Sequence, residues 1–214
     1  MALASCVIGY RAAMLTLYDS SVSGNCLKVR LLLTKLGIEF ERVEISVRGD
    51  REPAKRERFL AGNPRRKVPT VVLEDGTSLS ESMAILLWFG DGTRFVPEDR
   101  LERQRVLEWL SFEQNNVEPS IAVLRHALTL AERKPDPAVE AFLRNRGESV
   151  LAVMDAWLTG REFFVGDDET IADIALFGYS HLARDAGFDL DAYGNVVAWH
   201  GRMREQPGFV ALGS

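Results

Sequence analysis

The sequence predicts two halves of different class, an α/β half in front and an all-helical half behind it. Three observations carry this. The apolar segments between Leu15 and Val47 run strand, helix, strand. A second pair of strands turns at Asp75-Gly76. From Arg100 onward every strong apolar pattern repeats at helical spacing. A chain of 214 residues is long enough for two small domains with separate cores.

Each element has a local cause. Leu15, Leu17 and Tyr18 form a short strand that stops at Asp19 and the serine-rich stretch Ser20 to Gly24. Cys26, Val29, Leu32, Leu33 and Leu36 follow on one helical face, closed by Gly37. Val43, Ile45 and Val47 alternate with polar residues as a second strand, completing a βαβ unit. Val68 to Leu73 is the next strand, and Ser78-Leu79 begins its return. Ser80-Glu81-Ser82 then leads into an apolar helix over Met83 to Phe89, ended by Gly90 and Gly92. These signals place an extension at 1–13, a first domain at 14–90, a linker at 91–99 and a helical domain at 100–214. Residues 1–13 are expected to be poorly ordered, with regular structure starting at Met14. Within the helical half, Val106 to Leu128 reads as one long helix or two, kinked or broken at Pro119. Pro135 and Pro137 mark a turn; further helices carry Phe142 to Trp157, Ile171 to Phe177 and Val196 to Met203.

Composition narrows the function. Hydrophobic residues make up 46% and charged residues 27%, the balance of a globular protein. The net charge of −5 and the scattered basic residues leave no footprint for nucleic acid or an anionic membrane. Two cysteines, Cys6 and Cys26, cannot build a disulfide framework, so a reducing, cytoplasmic setting is expected. The first residues lack the basic lead of a secretory signal, and no apolar stretch reaches the roughly 20 residues that span a bilayer.

Three motifs in order give the chain its resemblance. They are Ser23-Gly24-Asn25-Cys26-Leu27-Lys28-Val29-Arg30; Asn63-Pro64 through Val68-Pro69 and Asp75-Gly76 to Glu81-Ser82 with Ala84-Ile85-Leu86; and Thr170-Ile171-Ala172-Asp173-Ile174-Ala175. Over roughly residues 14 to 210 the chain resembles the glutathione transferase family, in its bacterial, theta-like serine type. The resemblance implies a thioredoxin-like domain followed by a helical bundle, glutathione as co-substrate, no metal, and a homodimer. It also implies conjugation of glutathione to small hydrophobic electrophiles, or peroxide reduction with it, in a detoxifying role. A non-catalytic binding or scaffold module, and a thiol-disulfide oxidoreductase using Cys26, are the alternatives.

The residues support these roles on physical grounds. Proline cannot donate to a ladder, so Val68-Pro69 implies a bend, and the family places a cis peptide there. The Val68 backbone is then expected to pair with the cysteinyl backbone of glutathione as an added strand; a plain edge-strand proline is the alternative. Glu81 and Ser82 open a helix, where a carboxylate can take the Ser82 N–H and hydroxyl while Glu81 takes an ammonium. Together they suit the γ-glutamyl end, although Ser80-Glu81-Ser82 also reads as a cap. Lys67, Arg51 or Lys55 is placed to meet the glycyl carboxylate. Ser23, three residues before Cys26, has the spacing of the family's catalytic serine and is expected to stabilise the thiolate. Asn25 is a second amide donor, and Cys26 is either a nucleophile or core. Trp109, Phe112 and Asn116, with Glu113 and Val117, lie on successive turns and are candidates for the acceptor pocket. Thr170 and Asp173 form a capping box, a folding element rather than part of the site.

Overall fold

The computed structural model describes residues 14–46, 57, 59, 60 and 63–214. The expectations for residues 1–13, Cys6, Val47, Arg51 and Lys55 lie outside them.

The first half is a four-stranded sheet of order β2-β1-β3-β4. Its strands are β1 (Leu15–Asp19), β2 (Phe40–Glu44), β3 (Thr70–Val72) and β4 (Ser78–Ser80). β1 runs parallel to β2 and antiparallel to β3, which pairs antiparallel with β4. Central Leu17 is opposite Arg42 on one side and Val71 on the other. The helices α1 (Gly24–Lys35) and α2 (Ser82–Gly90) accompany the sheet. α1 ends as expected: Gly37 takes φ 67°, a conformation that costs glycine no Cβ clash.

The second half contains α3 (Arg100–Phe112), a π-helix (Glu113–Ala122), α4 (Val123–Thr129), α5 (Pro137–Trp157), α6 (Ile171–Ser180) and α7 (Gly194–Glu205). Asp99 caps α3, accepting from the N–H groups of Leu101 and Glu102 at 2.9 and 3.0 Å. Pro119 neither breaks the long helix nor leaves it regular. Its ring would clash with the carbonyl of Asn115 in an α-helix, and the chain widens to π geometry through that stretch. The Asn115 carbonyl is taken up by the Arg146 guanidinium of α5.

The buried apolar cluster is continuous across both halves. Leu17, Leu33 and Val71 of the sheet half belong to the same cluster as Ile171, Ile174, Phe177 and Trp199. The joint is α1 against α6. The 91–99 segment is part of this core as well: Phe95 and Val96 are buried, and the Phe95 carbonyl accepts from the Ile171 N–H at 2.9 Å. The capping box forms as predicted at the start of α6. Asp173 there also accepts from the Phe164 N–H at 3.0 Å and the Trp199 indole at 3.1 Å. One carboxylate thus ties three segments of the helical half together.

Candidate active site

β1 ends at Asp19 and delivers the loop Ser20–Ser23 to the carboxyl end of the sheet. That loop is held from two sides. On the β2 side, the Ser21 N–H and hydroxyl donate to Glu44 Oε1 at 2.8 and 3.0 Å. From the helical half, Arg125 donates to the Val22 carbonyl at 3.1 Å, with Asp185 behind it at 3.3 Å. Below the loop, buried Asp19 receives the Ser20 N–H at 2.8 Å and pairs with Arg30 at 3.3 Å and with Arg42.

Ser23 is the N-cap of α1. Its extended backbone (φ −91°, ψ 121°) lets Oγ accept from the Cys26 N–H at 3.3 Å. One of its two lone pairs is so used. Cys26 itself is fully buried and accepts from the Ser20 N–H at 3.3 Å. Burial, reinforced by the neighbouring Asp19 charge, pushes its thiol far above the ordinary range. A thiol so buried is held in its neutral form, which is the poor nucleophile of the two.

The Asn25 side chain is already engaged on both ends. Its Oδ1 accepts from Lys28 Nζ at 2.7 Å and from the Ser82 hydroxyl at 3.3 Å. Its Nδ2 donates to Glu118 Oε1 at 3.2 Å. Two sequence motifs 57 residues apart, Asn25 and Ser82, therefore meet directly. Lys28 continues the chain to Glu113 at 2.6 Å, with both side chains fully buried. Gln114 closes the circuit, donating to Glu113 at 2.7 Å and Glu118 at 2.9 Å. Burial raises Glu113 above the usual carboxylate range, and the Lys28 charge opposes it.

The Lys67-Val68-Pro69 turn carries a cis peptide between Val68 and Pro69. Buried Asn63 fastens it, donating to the Lys67 carbonyl at 2.6 Å and to Thr70 Oγ1 at 2.8 Å. The Lys67 side chain is exposed and Val68 half-buried. Glu81 precedes α2 with φ 72° and ψ 111°, a sparsely populated conformation for a residue with a Cβ. Its side chain makes no cap, so the expectation that Ser80-Glu81-Ser82 acts as a side-chain cap does not hold. The carboxylate instead points outward, 3.5 Å from Arg65. Both partners are more than half exposed, so this pair is weak and open to an incoming ammonium.

The expected acceptor residues differ in burial. Trp109 is buried in an aromatic cluster, its ring centroid 5.1 Å from Phe112, 5.2 Å from Trp157 and 4.7 Å from Phe164. A large apolar ring gains most where other aromatics surround it, and here that is the core of the helical half. Val117 and Glu113 are fully buried as well. Phe112 and Asn116 are half-buried, the Asn116 amide donating to the Phe112 carbonyl at 3.2 Å.

Several residues of this site had no sequence signal of their own. Glu118 and Tyr179 were not singled out as site residues in the sequence, and Glu113, named there for the acceptor pocket, pairs with Lys28 of the first motif. Gly24 and Gly178 explain how Tyr179 arrives. A Cβ on Gly24 would stand 2.3 Å from the Gly178 carbonyl and 2.7 Å from the Tyr179 ring. Only glycine lets α1 and α6 come so close. Among the described residues no cluster has the make-up of a metal site, and no helix is long and apolar enough to cross a membrane.

Comparison with known proteins agrees with this geometry. Residues 22–91 match the model of the glutathione S-transferase N-terminal domain, and residues 122–207 that of its C-terminal domain. The glutathione S-transferase GstA of Escherichia coli O157:H7 is 28% identical over 155 residues, 70% of this chain and 73% of that protein. A crystal structure of a glutathione S-transferase from Pseudomonas fluorescens superposes with a TM-score of 0.87 at 39% identity, covering 94% of this chain and all of the other. One from Xanthobacter autotrophicus superposes with a TM-score of 0.84 at 43% identity, covering 92% and 96%. With both domains matched in order and relatives of this identity spanning nearly its whole length, the chain belongs to the glutathione S-transferase family.

Proposed function

We propose that this protein conjugates glutathione to small hydrophobic electrophiles, or reduces peroxides with it, and that Ser23 stabilises the thiolate. The observation that carries the proposal is the direct contact of Ser82 with Asn25, two residues from Ser23. It supports reading Ser82 as the anchor for an amino-acid end, next to the loop that carries the Ser23 hydroxyl. In this arrangement Glu81 and Ser82 take the γ-glutamyl group, Val68 pairs with the cysteinyl backbone and Lys67 faces the glycyl carboxylate. A hydroxyl donated to a thiolate is worth roughly 1.5–3 kcal/mol. At about 1.36 kcal/mol per pH unit, that lowers a thiol pKa of about 8.5 by about one to two units. Asn25 is assigned a supporting place, because its amide is committed to Glu118. Phe112 and Asn116 keep a place at the acceptor side; Trp109 supports them from the core. The family setting favours a cytoplasmic homodimer with a two-fold axis, in which light scattering at micromolar concentration should return twice the chain mass.

The test follows the ultraviolet thiolate band of bound glutathione across pH. Ser23→Ala should raise that pKa and slow conjugation at neutral pH, and Cys26→Ala should do neither. Loss of turnover in Cys26→Ala alone would replace this proposal with thiol-disulfide exchange. Absence of any thiolate in the wild-type complex would leave a binding or scaffold module.

A further inference from the structure

Loops are the mobile parts of a fold, so a catalytic group carried on one needs outside anchors to keep its place. The loop that carries Ser23 has an anchor at each residue before it. The Ser20 N–H is held by Asp19 Oδ1 at 2.8 Å, and the Ser20 carbonyl accepts from the Ser23 N–H at 3.0 Å. Ser21 is held by Glu44 through its N–H and hydroxyl, and Val22 by Arg125. The two anchors on the sheet side are thus both carboxylates, Asp19 at the end of β1 and Glu44 at the end of β2.

Those carboxylates stand opposite one another, Asp19 in register with Glu44 across the parallel pair of strands. Like charges so placed repel, and Asp19 is fully buried, where salt and water screen it little. Arg42 lies two residues before Glu44 and so on the same face of β2. Its guanidinium pairs with Asp19 Oδ2 through Nε and donates to Glu44 Oε2 at 3.1 Å through Nη2. Its Nη1 donates to the main-chain oxygen of Ser214, which also accepts from Arg30 at 2.7 Å. Arg30 is the second cation on Asp19, at 3.3 Å. Among the described residues, Arg42 is the cation that pairs with both carboxylates. A planar guanidinium can hold several acceptors in fixed directions at once, which the point charge of an ammonium cannot reproduce.

We propose that Arg42 is a positioning residue for Ser23: by holding Asp19 and Glu44 at once, it fixes the loop Ser20–Ser23 and with it the place of the serine hydroxyl against the sulfur of glutathione. One arm runs from Arg42 to Asp19, to the Ser20 N–H, and through the Ser20–Ser23 turn to the N-cap of α1. The other runs from Arg42 to Glu44 and on to Ser21. β2 forms one edge of the sheet, whereas β4, which leads into Glu81 and Ser82, forms the other. Arg42 therefore acts on the loop without touching the residues assigned to the γ-glutamyl end, and positioning of the thiolate donor separates from binding. This role rests on the reading of Ser23 as the thiolate donor.

Arg42→Gln removes the charge and keeps much of the side chain's length. In the glutathione complex the thiol pKa should rise by about 0.5–1 pH unit, and conjugation below that pKa should slow about three- to tenfold. The loss should fall on kcat, with KM and the calorimetric affinity for glutathione nearly unchanged. Arg42→Lys restores a cation that serves one carboxylate at a time, so it should shift the thiol pKa by less, and it covers the case of a poorly folding Gln variant. Added to Ser23→Ala, Arg42→Gln should move the thiol pKa no further, because Arg42 acts through the serine. A lowered melting temperature with an unshifted thiol pKa in both Arg42 variants would make the residue a tie in the fold alone and overturn the proposal. So would an equal shift in the Ser23→Ala background, the sign of a long-range charge effect on the sulfur. Failure of the underlying serine assignment is separable: Ser23→Ala alone would then leave the thiol pKa where it was.

Discussion

Removing one end of the Lys28–Glu113 pair exposes how much the joint between the two halves depends on it. Lys28→Met preserves most of the aliphatic stem and deletes the ammonium. Glu113 is then left fully buried without its cation, with Gln114 donating to it at 2.7 Å. Breaking a buried pair from one side costs about 3–5 kcal/mol. In a protein of this size each kcal/mol lowers the melting temperature by about 2–4 °C, so a drop of about 6–20 °C is expected at pH 7. Adding Glu113→Gln removes the orphan charge and should restore most of that loss, since replacing both ends of a buried pair is often near neutral. The pH dependence has a definite sign. Burial already holds Glu113 above its ordinary value in the intact protein. Without Lys28 it rises further, so the folded variant binds a proton where the unfolded chain does not. Stability lost at pH 7 is therefore regained as pH falls toward that raised value. Thermal melts of the single and double variants at pH 5 and pH 7 test each step. The reasoning fails if the double variant melts as low as Lys28→Met, or if Lys28→Met is no more stable relative to wild type at pH 5 than at pH 7.

Three other perturbations follow from the same geometry. Gly24→Ala places a methyl 2.3 Å from the Gly178 carbonyl, so α1 and α6 must part; a loss of about 1–3 kcal/mol in urea titration is expected, together with slower conjugation. Asp173→Ala strands the Trp199 indole and the Phe164 and Thr170 N–H groups in the core and should cost at least about 3 kcal/mol, with the helical half melting first by near-ultraviolet circular dichroism. Burial holds His200 down to about 3 from 6.5, so the unfolded chain takes up a proton across that window and the folded one does not. Its contribution makes stability fall with pH below 6.5 by about 1.4 kcal/mol per pH unit. His200→Gln should flatten the urea-midpoint profile between pH 6 and pH 4 by that amount, and an unchanged slope would contradict the assignment.

Much of this protein was legible before any coordinate. The βαβ order, the Asp75-Gly76 turn, the all-helical second half and the Thr170–Asp173 box are written in short-range patterns, because strand alternation, helix period and capping are decided by residues within a few positions of one another. The motifs around Ser23, Val68-Pro69 and Glu81-Ser82 were legible for the same reason: each is a local turn or helix start with its own backbone requirement. Tertiary structure decided which of the neighbouring groups are available. Ser23, Asn25 and Cys26 are all candidates on paper, with Ser23 favoured by its spacing; packing then buries Cys26 and commits the Asn25 amide to Glu118. It also drew Trp109 into an aromatic cluster with Phe164. Lys28, Glu113 and Tyr179 acquired their places only when α1 met the π-helix and α6, 85 residues and more away in the chain. No local pattern records such a meeting, because burial of a charge and the reach of a hydroxyl depend on what lands opposite, and the sequence order of the two partners carries no trace of it.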